Sequence, residues 1–381
     1  MKISPAQAAL ILNALSGIGA VACRKFADAF DGSLPEIFYA SRKQLAAIRG
    51  IGENLAEKIV SWESEFNLEK EEEKMAKFGF DFIPFFDSRY PAMLKEIPDA
   101  PIGIYVCGNA DALQTRRSIA VVGTRKASPY GSSMAQKIAR ELAGARWSII
   151  SGLARGIDTV AHRGALDGNG TTVAVLGCGL DIVYPPENLE LYREIASRGG
   201  AVISEFRLGR SADKRSFPKR NRIIAGLSAG MLVVESDEKG GSMLSAGFAA
   251  DYGRTVFALP GRVDQAGSRG CHKLIREGAT LITNSAEIIE EMESVASQPS
   301  LALEFGEIPN SVPVSAQDKA PPELSGDEAQ IFATLAAGDA LSPDAIAGKT
   351  ALPAAAILSK LLLLELDGLV TRKTDGTYEK K

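Results

Sequence analysis

The chain has 381 residues, of which 45% are hydrophobic and 24% charged, and its formal net charge is -4. Such a length holds two or three domains and a substantial core. A slightly acidic total excludes a protein that coats nucleic acid through overall charge, so any such binding needs local patches.

The first eighty residues carry a helical pattern. Two segments echo each other, Leu15-Ser-Gly-Ile-Gly19 and Ile48-Arg-Gly-Ile-Gly52, each leading into a further helical run. Glycines there permit a tight turn and leave amides open. The pattern is similar to helix-hairpin-helix modules, which hold DNA phosphates on that turn, and equally to helical bundles of the sterile-alpha-motif type. Residues 82 to 110 read as a proline-punctuated connector. The apolar stretch up to Cys23 imitates an export signal, but Asn13, Ser16 and two glycines interrupt it, so export is not expected.

From Ser118 onward, short β-branched runs alternate with helical stretches. The runs are Ile119–Val122, Trp147–Ile150, Thr172–Leu176, Ala201–Ser204, Met231–Val234, Thr255–Ala258 and Thr280–Thr283, with helices expected at Met134–Ala143 and Ser245–Tyr252. Continuous apolar strands separated by helices predict an α/β fold, a Rossmann-like doubly wound and mainly parallel sheet covered on both faces. Residues 296 to 323 lack periodicity, carry Pro299, Pro309, Pro313, Pro321 and Pro322, and read as a flexible linker. Three helical stretches and a polar hairpin, Leu369–Tyr378 with a tight-turn signal at Asp375-Gly376, then follow in winged-helix order. The expected division is a helical domain over 1–81, a Rossmann-like domain over 82–295, the linker, and a winged-helix-like domain over 324–381.

Lys214 to Arg222 read KRSFPKRNR: five basic residues (Lys214, Arg215, Lys219, Arg220, Arg222), one aromatic (Phe217) and no acid. The stretch follows the run ending at Glu205 and precedes a helical run expected over Asn221–Leu227. That predicts a loop at the carboxyl end of a sheet strand, where open α/β folds bind ligands. Basic groups interleaved with a ring suit a phosphate backbone that carries stackable bases.

Other strand ends carry glycine turns. Gly123-Thr124-Arg125 follows the first run, and a helix is expected from about Tyr130, so Gly123 allows close approach while Arg125 offers a bidentate fork to phosphate. Ser151–Asp158, Gly177–Asp181 with Tyr184–Asn188, and Lys239–Ala246 with Gly241 and Ser242 complete the series. Neither GxGxxG nor GxxxxGK[ST] occurs, so a dinucleotide cofactor and a P-loop ATPase are unsupported. Asp158 and His162 share a helix face, which suits a catalytic pair but also a packed histidine. With no nucleophile or oxyanion constellation in view, the packed reading is preferred.

The two histidines, and four cysteines (Cys23, Cys107, Cys178, Cys271) without a CxxC pair, give neither zinc-ligand spacing nor a disulfide framework. No metal or cofactor is expected, and a reducing cytoplasm is the expected location. No apolar run reaches spanning length, so no membrane association is expected.

In this order the motifs resemble the bacterial DNA processing protein A family (DprA, also called Smf). The matching residues are Ile119–Arg125, Ser151–His162, Gly177–Asp181 with Tyr184-Pro185 and Asn188, Ser204-Glu205, Phe217–Ile224, Gly241-Ser242 with Ala246, and Pro260-Gly261. The resemblance implies a non-enzymatic single-stranded-DNA-binding protein of natural transformation. It would protect incoming strands, load a RecA-type recombinase on them, and act generally as a homodimer. By motif, Arg125, Lys214 and Phe217 are the implied DNA contacts, with Asn221 and Arg222 shaping the same segment. Gly123, Thr124, Lys219, Arg220, Gly241 and Ser242 complete the candidate set.

One alternative is a nucleotide-binding enzyme related to lysine-decarboxylase-like phosphoribohydrolases. Those place a catalytic glutamate on the helix after the glycine loop, whereas Met243–Ala250 here holds no carboxylate. The third helix of the terminal domain, Pro353–Leu366, carries one basic residue, Lys360, so this domain is expected to contact protein or regulate. The wing residues Arg372, Lys373, Lys380 and Lys381 are the remaining hint of DNA there.

Overall fold

The computed structural model describes residues 2–213, 215–297, 326–335, 341–350, 352–353, 357, 360–361, 364, 369–373 and 377–380. Residues Met1–Ser300 and Leu301–Lys381 form two compact units.

The first unit is built on a nine-stranded sheet in the order β1-β2-β6-β5-β4-β3-β7-β8-β9. The strands are β1 (Asp81–Pro84), β2 (Gly103–Gly108), β3 (Ser118–Val122), β4 (Ser148–Ser151), β5 (Thr172–Leu176), β6 (Ala201–Ser204), β7 (Gly230–Val233), β8 (Thr255–Ala258) and β9 (Thr280–Leu281). From β6 across to β9 every pairing is parallel. The sheet is therefore the expected Rossmann-like one. Side chains alternate between two apolar layers: Ile119 and Val121 enter one, Ala120 and Val122 the other. Both layers are helix-covered, which is why these strands read as unbroken apolar runs.

Two features depart from the sequence reading. The connector at 82–110 contributes β2, antiparallel to β6, and β1, antiparallel to β2. β1 is a short edge strand beside prolines, and β2, paired on both sides, is bounded by Gly103 and Gly108, so neither shows the unbroken β-branched run of the buried centre. The helices before Asp81 also share a core with the sheet. Ile11, Leu12 and Phe26 belong to the same apolar cluster as Tyr105, Leu176 and Val202. Buried Glu71 ties them further, accepting hydrogen bonds from the Tyr105 hydroxyl (2.8 Å) and the Leu208 amide (2.8 Å). Residue 81 thus marks a change of pattern while packing continues across it.

In the second unit, helices Gly326–Thr334 and Pro343–Thr350 accompany an antiparallel pair, β10 (Val370–Arg372) and β11 (Tyr378–Lys380). Ile331, Ile346, Ile357, Leu361, Val370 and Tyr378 build its core. The expected tight turn at Asp375-Gly376 and the linker from residue 298 onward lie outside the described residues.

Candidate nucleic-acid interface

The strand order reverses at β3, with β4 on one side and β7 on the other, and open α/β sheets bind ligands beside such a point. Here the β3/β7 side is closed by protein. Buried Glu235 accepts from the Ser128 amide (2.9 Å) and hydroxyl (2.5 Å), and its backbone carbonyl accepts from the Thr124 amide (2.7 Å). A side chain at Gly123 would meet Ile157 at 2.6 Å and the Glu235 carbonyl at 2.9 Å, so this glycine is required by packing. The open space lies instead over the carboxyl ends of β3, β4 and β5.

The fourth wall of that cleft is the start of helix Ser216–Gly226. This corrects the expectation of a loop through Lys214–Arg222, since most of the basic stretch is helical. Pro218 occupies the first turn, where amides have no intrahelical partner to lose. The Asp213 carboxylate accepts from the Arg215 and Ser216 amides (2.7 Å each), and these bonds hold it below the usual carboxylate range. Lys214 lies outside the described residues.

Along the cleft, cations and rings alternate. The Arg125 guanidinium stands 4.7 Å above the Phe217 ring, Tyr184 lies 6.0 Å from Phe217, and the Arg155 guanidinium is 5.9 Å from Tyr184. Arg155 and Tyr184 were present in the sequence motifs but absent from the candidate set. Their signal was an arginine between two turn glycines and a tyrosine held before Pro185.

The floor is Arg220, 5% exposed. Its Nη1 lies 3.6 Å from the buried Asp158 carboxylate, and its Nε has no hydrogen-bond partner among the described residues. Gly152 makes this possible, because a Cβ there would sit 1.1 Å from Arg220 Nη1. Burial pushes the Asp158 carboxyl up and Arg220 opposes that push. Burial likewise disfavours the charged form of Arg220. A desolvated guanidinium with one long counter-charge favours an incoming anion.

Asp158 and His162 act as props for the β4 turn. Asp158 accepts from the Gly152 amide (3.1 Å) and His162 Nε2 from the Leu153 amide (3.3 Å), while His162 Nδ1 pairs with Thr172 Oγ1 (2.7 Å). They hold Leu153 in the left-handed region at φ 55°. Burial, with Arg220 close by, pulls the His162 pKa down to about 3, so the ring is neutral and structural. His272 Nε2 lies 3.0 Å from the Gly261 carbonyl, a partner the sequence did not reveal.

The remaining candidates separate. Lys219 is exposed on the helix flank away from Phe217. Asn221 Nδ2 donates to the Gly241 carbonyl (3.3 Å), tying this helix to helix Gly241–Asp251. Arg222 is 9% exposed, with Asp99 at 3.3 Å and Glu205 in contact. Ser242 is buried and donates to Ser236 (2.8 Å). Gly241 and Ser242 follow β7 and do not line the cleft. No carboxylate lines it either. Among the described residues, no three His, Cys, Asp or Glu side chains stand close enough to hold a metal ion. No described helix is long and apolar enough to cross a membrane.

Fold and cleft define a Rossmann-like protein with a cleft lined by cations and rings at the strand ends of a parallel sheet. Residues 81–293 match the family described as DNA recombination-mediator protein A, and residues 315–376 match the DprA winged helix domain. The chain is 38% identical over 297 residues to Protein Smf of Escherichia coli, covering 77% of this chain and 76% of that one. It superposes on the X-ray structure of DNA processing protein A from Streptococcus pneumoniae with TM-score 0.65 and 32% identity, over 76% of this chain and 99% of that one. A Helicobacter pylori DNA processing protein A structure, described for its single-stranded DNA binding mode, matches with TM-score 0.52 and 32% identity over 57% and 97%. The chain belongs to the DNA recombination-mediator protein A family. These relatives support the DNA reading and give no support to the nucleotide-hydrolase alternative.

Proposed function

We propose that this protein binds single-stranded DNA across the cleft and hands it to a RecA-type recombinase, protecting incoming strands during natural transformation. The observation that carries this reading is Arg220, a buried cation at the floor of a cleft rimmed by Arg125, Phe217, Tyr184 and Arg155. Phosphates meet the guanidinium groups and bases stack on the rings, a mode that ignores sequence. The family and the Helicobacter pylori relative support it. Lys214 and Lys219 add phosphate contacts, while Asn221 and Arg222 hold the helix in place. The protein acts in the cytoplasm as a homodimer, without catalysing a reaction.

The terminal unit supports a protein-contact role. Lys360 is spent on Glu328 (2.8 Å) and Lys373 on Glu379 (2.6 Å), and Lys380 lies 4.0 Å over the Phe332 ring.

Fluorescence anisotropy with an oligo-dT strand tests the cleft. Phe217→Ala should lose about 1–3 kcal/mol of binding, the worth of one stacked base. Arg125→Ala should lower the slope of log affinity against log salt by about 0.7, the share of one single-strand phosphate. Unchanged affinity and slope in both variants would refute the reading.

A further inference from the structure

A second concavity, of about 750 Å³, opens on the opposite flank of helix Ser216–Gly226, between that helix and the turn Leu15–Gly19. Phe217 lines the cleft and Lys219 lines this groove. Two residues along a helix turn the side chain by about 200°, so one first turn forms a wall of both spaces.

The groove is lined by five cations and three carboxylates. The carboxylates are largely engaged, although Glu205 Oε2 has no hydrogen-bond partner among the described residues and feels the charge of Lys219. Glu65 accepts from the Ser16 amide (3.0 Å) with Lys58 at 4.0 Å, and Asp99 and Glu205 share Arg222. Lys25 and Lys219 have no hydrogen-bonded or ion-paired partner among the described residues. Arg207 donates to the Glu65 backbone carbonyl (3.0 Å), and Arg210 lies 4.7 Å over the Phe206 ring and faces the exposed Asp213 at 3.3 Å.

The turn that forms the far wall is bare. Gly17 needs its glycine, having φ 86°, whereas Gly19 has extended backbone and open space where a Cβ would stand. Neither conformation nor packing therefore demands glycine at 19. Ser or Asp would cap helix Ala20–Ala29 better, but glycine leaves the groove wall uncovered and uncharged.

We infer that this groove carries the phosphate backbone of the same single strand onward from the cleft, passing over the first turn of helix Ser216–Gly226 to Lys25. The inference rests on the function proposed above. The strand that stacks on Phe217 continues past Lys219 and Arg210 and ends against the Gly19 turn.

The test compares oligo-dT of about 6 and about 30 nucleotides, bracketing a typical single-strand site. With the full chain, Lys25→Glu should leave the short strand unaffected. It should weaken the long strand roughly fivefold and lower its salt slope by about 0.7, with Lys25→Arg restoring both. Gly19→Asp should weaken the long strand while the melting temperature holds or rises, which separates lost binding from lost folding. Long-strand affinity equal to wild type in both Lys25→Glu and Gly19→Asp overturns the groove. Arg125→Ala keeps the two claims apart: it should weaken both lengths if the cleft reading holds, whatever the groove variants do.

Discussion

The cleft and the terminal winged unit both carry basic residues, but they treat them oppositely. In the winged unit Lys360, Lys373 and Lys380 each meet an acid or a ring of their own unit. In the cleft, Arg155 at the rim is likewise paired with Glu187, but Arg125 and Arg220 share a lining without a carboxylate, and Arg220, packed against Gly152, has one counter-charge, Asp158 at 3.6 Å. Counting charges would rank the two regions alike. What separates them is how much water remains around the pair, because an exposed pair gains little while a desolvated cation with one long counter-charge is only partly balanced.

The sharpest way to break this contrast is to remove one member of the buried pair. Arg220→Met alone strands Asp158 and should cost about 3–5 kcal/mol in urea unfolding. The double variant Asp158→Asn/Arg220→Met should recover most of that loss. Equal loss in both would show that Arg220 matters by packing alone.

The next effect is acid sensitivity. His162 has a folded pKa of about 3 against an ordinary 6.5, so below pH 6.5 the unfolded chain takes up a proton that the folded one refuses. Its contribution is therefore present at neutral pH and falls as pH drops from about 6.5 toward 3, by a few kcal/mol at most. Urea midpoints between pH 7 and pH 4 should fall less steeply in His162→Gln than in wild type. Identical slopes would contradict the neutral, buried assignment.

The smallest effect is on the other side of the comparison. Lys360→Gln should shift the urea midpoint little, since this partly solvated pair is screened, and leave oligo-dT affinity unchanged. A loss of DNA affinity there would make the winged unit a DNA reader after all.

Much of this was legible in sequence for definite reasons. Ile119–Val122 and Thr172–Leu176 announced buried parallel strands because both of their faces meet apolar layers. Asp81–Pro84 did not, as a short edge strand beside prolines, and Gly103–Gly108 did not because glycines break its run at both ends. Arg125 and Phe217 were found from motif and charge pattern. Arg220 was found as a charge, but its burial depended on Asp158 and Gly152, more than sixty residues earlier in the chain. Arg155 and Tyr184 escaped because their roles arise from ring geometry across three loops.

The central claim is that Arg220 presents a buried charge to the DNA backbone. Oligo-dT affinity of the Asp158→Asn/Arg220→Met variant, measured across salt concentrations on protein shown to be folded by urea unfolding, tests it most directly. The account predicts weaker binding and a salt slope reduced by about 0.7. Wild-type affinity and slope in that variant would contradict it.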